Sequence, residues 1–181
     1  DPYLRFYYHF LAAYQSKLAL GAQEELLADI REKMPQFAQA YTWRELCAEW
    51  ILRASLAGDL PVSVERVGGF WQRNQEVDLC SIDRIECSLV LATCLWNDRP
   101  AGLATLAEMI AQTGLVVPED DERTWNVYYI GFSTTGWEEG VQASCESLAN
   151  SQAEGHNRWR SMGVRLLDLN DVDASLQQWA R

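Results

Sequence analysis

Lysine is almost missing from this chain of 181 residues: Lys17 and Lys33 are the only two, and none follows position 33. Any chemistry beyond that point that needs a side-chain ammonium has no residue to supply it. Histidine is as scarce, with only His9 and His156. The five cysteines, Cys47, Cys80, Cys87, Cys94 and Cys145, show no short paired spacing. No zinc site can be assembled from such a set, and the thiols are expected to be reduced and buried in a cytoplasmic protein. No apolar run approaches the roughly 20 residues of a membrane span. A glycine-rich phosphate loop of the GxxxxGK type is absent, so these residues are expected to bind no nucleotide. The opening DPYLRFYY lacks the basic start and small-residue cleavage site of a signal peptide. The chain opens on Asp1 and not on Met, and the expectation is a piece of a longer polypeptide.

What is present describes a folded domain. Hydrophobic residues make up 48% and charged residues 23%, which argues against disorder. The length suits one globular domain with a sizeable core. Net charge is −11 and uneven: residues 1–57 carry 6 basic and 7 acidic side chains, residues 58–181 carry 9 and 19. A sequence-independent nucleic-acid binder would show a basic footprint, so this balance disfavours DNA as a partner.

Asp1-Pro2 reads as an N-cap followed by proline at the first helical position. Tyr3, Tyr7, Phe10, Tyr14 and Leu18 then repeat at helical spacing up to Gly21. A second helix is expected over 22–33. A third should open at Pro35, with Trp43, Leu46, Cys47, Trp50, Ile51 and Ala54 on one face, and end at Gly58. The period then changes. PVSVERV (61–67) alternates like a strand, EVDLCSI (76–82) gives a second, and CSLVLATCLW (87–96) a third that is too apolar to be half exposed. A helix over 100–113, a solvated EDDE loop (119–122), a buried strand WNVYYIGFS (125–133), a helix over 137–149, a polar loop over 151–157, a short strand over 163–169 and a closing helix capped by Asn170 complete the reading. The class is α/β: a central mixed sheet flanked by helices, with an N-terminal helical segment (1–34) before an α/β core (35–181), all as a single domain.

The most informative stretch is RVGGFWQRNQEVDLCSID (66–83), where a Gly-Gly pair and aromatics lead into a strand opening Glu76-Val77-Asp78. Together with DPYLRFYYHF at the start, YYIGFSTTGW (128–137) and RLLDLNDV (165–172), it resembles the C-terminal nuclease-like domain of archaeal-type AAA+ ATPases. That domain lies within the PD-(D/E)xK superfamily of restriction-endonuclease-like folds. The likeness runs over roughly residues 1 to 172 and rests on the order of the landmarks. It implies a restriction-endonuclease-like core and an ATPase module in the same polypeptide.

In active members of that superfamily, an Asp on one strand and a Glu-x-Lys on the next hold a divalent metal and a water nucleophile. Magnesium is a hard cation that takes carboxylate oxygens and neutralises charge building on phosphate. Residues two apart on a strand share a face, so Glu and Lys reach the ion together. Where the family reads Glu-Cys-Lys-Trp, this chain has Thr93-Cys94-Leu95-Trp96. A carboxylate has become a hydroxyl and an ammonium a hydrocarbon. Arg99 lies past the strand and does not deprotonate. The helical pair that tends to be aromatic-Glu is here Trp43-Arg44.

The degenerate positions are therefore Asp78, Thr93, Leu95 and Arg44, with Glu45, Glu49 and Glu76 nearby. Asp78 is the one metal candidate, and a weak one. The residues alone also allow blander roles: a turn or hydrogen-bonding residue for Asp78, a solvent-facing strand residue for Glu76, an i, i+4 ion pair with Arg53 for Glu49, plain core for Leu95. The leading expectation is a catalytically dead module without cofactor, acting on an ATPase in cis or on a protein partner, away from membranes. One alternative is an active magnesium-dependent nuclease with a relocated acid, such as Glu65 or Glu108. The other is a stand-alone binding module lined by its eight tryptophans and seven tyrosines.

Overall fold

The computed structural model describes residues 1–72, 75–119 and 122–180, with only the backbone of Lys17. The polar turn at Arg73-Asn74 and the middle of the EDDE loop, Asp120-Asp121, lie outside the described residues. The chain forms two compact units, Asp1–Trp43 and Arg44–Arg181.

The first unit is helical. Asp1 caps helix α1 (Pro2–Phe6), its Oδ1 accepting the Tyr3 and Leu4 N–H groups at 2.8 and 3.3 Å. The aromatic stripe does not continue as one α-helix. It passes through a π-helical turn (Tyr7–Leu11) and a 3-10 turn (Ala12–Tyr14) before α2 (Gln15–Ala19). Gly21 then adopts φ +87°, a left-handed conformation that ends the run. Helix α3 spans Gln23–Phe37, so Pro35 lies inside a helix and does not open one. Proline forfeits one helix hydrogen bond there, close to the C-terminal end of α3, and a second π-helical turn (Ala38–Thr42) follows. Phe6, His9, Phe10, Phe37 and Tyr41 form a ring cluster with centroids 4.6–6.4 Å apart.

The second unit is a five-stranded mixed sheet in the order β1 (Gly68–Gln72), β2 (Gln75–Asp83), β3 (Ser88–Leu95), β4 (Trp125–Ser133), β5 (Trp159–Asp168). β1, β2 and β3 pair antiparallel; β3, β4 and β5 pair parallel. Parallel neighbours need crossovers, supplied by α5 (Leu103–Ala111) with the short α6 (Thr113–Val116), and by α7 (Val141–His156). Two further helices, α4 (Trp43–Leu56) and α8 (Leu169–Trp179), complete the layers. On one side of the sheet Leu89, Leu91, Val127 and Tyr129 bury against Leu106 and Ile110 of α5 and Cys145 and Ala149 of α7. Elsewhere Trp50 of α4 packs 5.6 Å from Phe132 and 5.7 Å from Trp179, with the Arg165 guanidinium 4.9 Å from its ring.

Several expected boundaries move, each for a local reason. Residues 61–67 form no strand: the Val64 N–H donates to Ser55 Oγ at 2.8 Å, and the first strand starts at Gly68. Helix α7 continues through 151–156, because Val141, Cys145, Ala149 and Ala153 keep one buried face at i, i+4 spacing under a polar composition. Strand β5 starts at Trp159, earlier than expected. The cap of α8 is Asp168, not Asn170: its side chain accepts the Asp171 N–H at 2.8 Å, and Asp171 returns the bond to the Asp168 N–H at 3.0 Å. The helix expected from Pro100 begins at Leu103, since Ala101 bridges to Trp137.

Candidate functional site

β2 and β3 stop pairing backbone to backbone after Leu79 and Ala92. On its other side β2 carries a register shift against β1 over the same residues, between the Gly68–Cys80 and Phe70–Val77 pairs. A bulge of this kind re-aims side chains and frees backbone groups. Both consequences fall on Asp78. Its carbonyl oxygen accepts the Arg44 Nε at 2.9 Å. Its carboxylate turns toward β3, where Oδ2 accepts the Thr93 hydroxyl at 3.1 Å and the Cys94 N–H at 2.8 Å. The other oxygen, Oδ1, lies 3.2 Å from Arg44 Nη2. A carboxylate thus fills the gap where the ladder opens.

Arg44, in the first turn of α4, serves three acceptors. Beside the two on Asp78 it bonds Glu76 Oε1 at 2.8 Å. Gly69 of β1 lies beside it. A methyl group there would come within 3.4 Å of the Asp78 carbonyl oxygen and 3.7 Å of Arg44 Nη2. Partial burial works against the guanidinium charge, but the bond to Glu76 and the charges of Asp78 and Glu76 outweigh it and raise its pKa.

A cavity of about 270 Å³ lies beside this cluster, lined by Glu76, Asp78, Thr93 and Leu95 from the sheet and by Glu108 and Gln112 across from them. Asp78, Thr93, Leu95 and Glu76 thus meet at one place, and Arg44 reaches it through Asp78 and Glu76. Glu45 is exposed and does not line the cavity. Glu49 is paired with Arg53 at 2.5 Å and borders a different, apolar groove with Leu56 and Trp179. Glu65 borders a third pocket, with Arg66 and Asp83. Glu108, reached by no strand pattern, is the additional acid that the crossover helix brings to the cavity. Among the described residues, no group of three or more His, Cys, Asp or Glu side chains is placed to hold a metal ion.

A thiol lies on the same helix as Arg44. Cys47, one turn along α4 from Arg44, is fully buried. Burial above all pushes the Cys47 thiol far up from its ordinary value.

Comparison with family models matches residues 7–108 to DUF234, archaea bacterial proteins of unknown function. The match spans more than half of the chain. This chain belongs to the DUF234 family. The matched stretch contains Arg44, Glu76, Asp78, Thr93, Leu95 and Glu108, and ends inside α5 before β4 and β5. No curated protein and no solved structure matches the chain. Among the described residues no helix is long and apolar enough to cross a membrane.

Proposed function

We propose that this DUF234 chain is a nuclease-like module of restriction-endonuclease-like ancestry whose cleavage site has degenerated. It acts as an interaction or regulatory domain, on an ATPase module in cis or on a protein partner. The observation that carries the reading is the state of Asp78. Both of its carboxylate oxygens accept hydrogen bonds within the fold, from Arg44 on one side and from Thr93 and Cys94 on the other.

The donor set does not fit a magnesium ion. Magnesium takes oxygen ligands in near-ideal octahedral geometry. Here a guanidinium occupies the approach to Oδ1, and the neighbouring strand offers a hydroxyl that donates to the acid. Leu95 adds hydrocarbon where a phosphate-cleaving site needs positive charge. Losing a metal ligand and the adjacent cation removes several kcal/mol of transition-state stabilisation, on the usual scale of electrostatic catalysis.

Glu108 favours a second reading, a metal-dependent nuclease with a relocated acid, because it borders the same cavity as Asp78. One experiment separates the two. The purified chain is incubated with supercoiled, linear duplex and single-stranded DNA in magnesium or manganese, beside Asp78→Ala. No cleavage above the variant is expected. Metal-dependent cutting that disappears in Asp78→Ala, and again in Glu108→Gln, overturns the degenerate reading in favour of the second. The link to an ATPase has its own test, the reading frame upstream of Asp1. A glycine-rich phosphate loop there supports it, and a start codon a few residues upstream contradicts it.

A further inference from the structure

Helix α4 buries one face and leaves the other bare. Cys47, Trp50, Ile51 and Ala54 are fully buried, with Trp50 against Phe132. The opposite face carries Leu46, Glu49, Leu52, Arg53 and Leu56, which recur at i, i+3 and i+4 spacing. A solvent-side stripe on a surface helix is normally polar. Here three of the five residues are leucines. Leu56 is 87% exposed, and Leu46, which the sequence pattern groups with Cys47 and Trp50, is 36% exposed. Beside Leu52 and Leu56 an apolar groove of about 620 Å³ reaches Trp179 of α8. In the middle of the stripe Arg53 Nε lies 2.5 Å from Glu49 Oε1. That bond leaves Glu49 Oε2 and both terminal nitrogens of Arg53 without a partner among the described residues.

We propose that this face is a self-association surface, on which α4 of a second copy packs antiparallel about a twofold axis at the level of Ile51. Charge selects the occupant. The chain carries a net −11, so two copies repel wherever acid faces acid. The α4 stripe is instead balanced and self-complementary. A twofold axis makes an isologous contact, in which residue i meets residue j and j meets i. Glu49 and Arg53 each lie two residues from Ile51, and Leu46 and Leu56 each lie five. Along the helix axis these offsets are about 3 Å and about 7.5 Å. Glu49 therefore comes level with Arg53 of the second copy, and Leu46 with Leu56 of the second copy, each pairing occurring twice. The spare Glu49 oxygen and the Arg53 terminal nitrogens close a ring of four alternating charges. Leu46 of each copy covers the exposed Leu56 end of the other's groove. Parallel packing would set Glu49 against Glu49 and Arg53 against Arg53. One helix and one tryptophan per copy bury less than the roughly 1,200 Å² of a stable complex, so the association is weak and concentration-dependent. The face shares no residue with the lining of the Asp78 cavity, and the proposal does not depend on the nuclease-like reading.

Sedimentation equilibrium of the purified chain, at loadings from about 5 to about 500 μM, tests this. The weight-average mass should rise with concentration from one chain toward two and level there. Leu56→Glu changes an exposed position and should stay at the mass of one chain. Glu49→Arg and Arg53→Glu each bring four like charges together, and each should weaken association by about tenfold or more. The combined Glu49→Arg/Arg53→Glu chain restores the alternation and should regain most of the wild-type association. A wild-type chain that stays monomeric over the whole range overturns the proposal. So does a dimer undiminished by Leu56→Glu, a combined variant no stronger than the single reversals, or a mass that climbs past two chains without levelling. Circular dichroism checks that each variant is folded, and the wild-type series needs no variant at all.

Discussion

The Asp78 carboxylate accepts the backbone N–H of Cys94 at 2.8 Å, across a gap where their strands no longer share a ladder bond. An acid in that position works as a piece of the sheet. It satisfies a strand N–H that lies beyond the last paired residues, and it ties β3 to β2 and, through Arg44, to α4.

Removing the acid should therefore cost stability. Asp78→Ala leaves the Cys94 N–H and the Thr93 hydroxyl without this acceptor. A buried donor left unsatisfied costs about 1–3 kcal/mol. Asp78→Asn keeps one acceptor oxygen and should lose less. Urea unfolding checks both, with a lower midpoint and an unchanged slope expected. A catalytic acid with no structural role would instead leave stability unchanged or raised when removed.

Arg44 makes a directional contact. Its Nε meets a carbonyl while Nη2 meets two carboxylates. Arg44→Lys keeps the charge but cannot reproduce that fork. The ion pairs are part-exposed, with side-chain exposures of 42% for Arg44, 59% for Glu76 and 35% for Asp78, so solvent screens them. Arg44→Ala should destabilise by about 1 kcal/mol, and Arg44→Lys should recover little of that in the same urea titration.

At Gly131, in the middle of β4, an added methyl group would lie 2.6 Å from Trp137 Cζ2 and 2.8 Å from Leu166 Cδ2. The indole cannot easily retreat, because its Nε1 donates to the Leu167 carbonyl at 3.2 Å. Gly131→Ala should cost about 1–3 kcal/mol through overpacking. A lower thermal midpoint with altered near-ultraviolet tryptophan circular dichroism would show it.

Tyr129 is fully buried with its hydroxyl 2.9 Å from Thr113 Oγ1. Burial pushes its pKa up to about 12 from the ordinary value of 10.0. The folded state thus favours the neutral phenol, while an unfolded chain ionises it near the ordinary value. That contribution is fully present below about pH 10 and is lost between about pH 10 and 12; at about 1.4 kcal/mol per unit it amounts to roughly 2–3 kcal/mol. Alkaline unfolding followed at several pH values should steepen through that window. Tyr129→Phe should flatten it.

Much of the sheet was legible because its strands are apolar and close to the length their burial demands. The 125–133 strand matches in full, and 76–82 and 87–96 match within a residue of each end. The helices were harder. Ala149 and Ala153 extend a buried face that is only methyl-deep, so a polar composition hid the end of α7. Pro35 reads as a start signal, yet it lies within α3. At the site, strand alternation groups Thr93 and Leu95 without a structure. The roles of Arg44 and Glu108 depend on where two helices lie against the sheet, which no local pattern encodes. The bulge that turns Asp78 toward β3 lies opposite Gly69, and the Gly68-Gly69 pair is its one mark in the sequence.

The central claim is that Asp78 is consumed by hydrogen bonds inside the fold and holds no metal. Manganese titration followed by electron paramagnetic resonance tests it most directly, because bound ion loses its free six-line signal. The account predicts that wild type and Asp78→Asn deplete that signal equally little. Depletion by wild type at stoichiometric protein, abolished by Asp78→Asn, would contradict it.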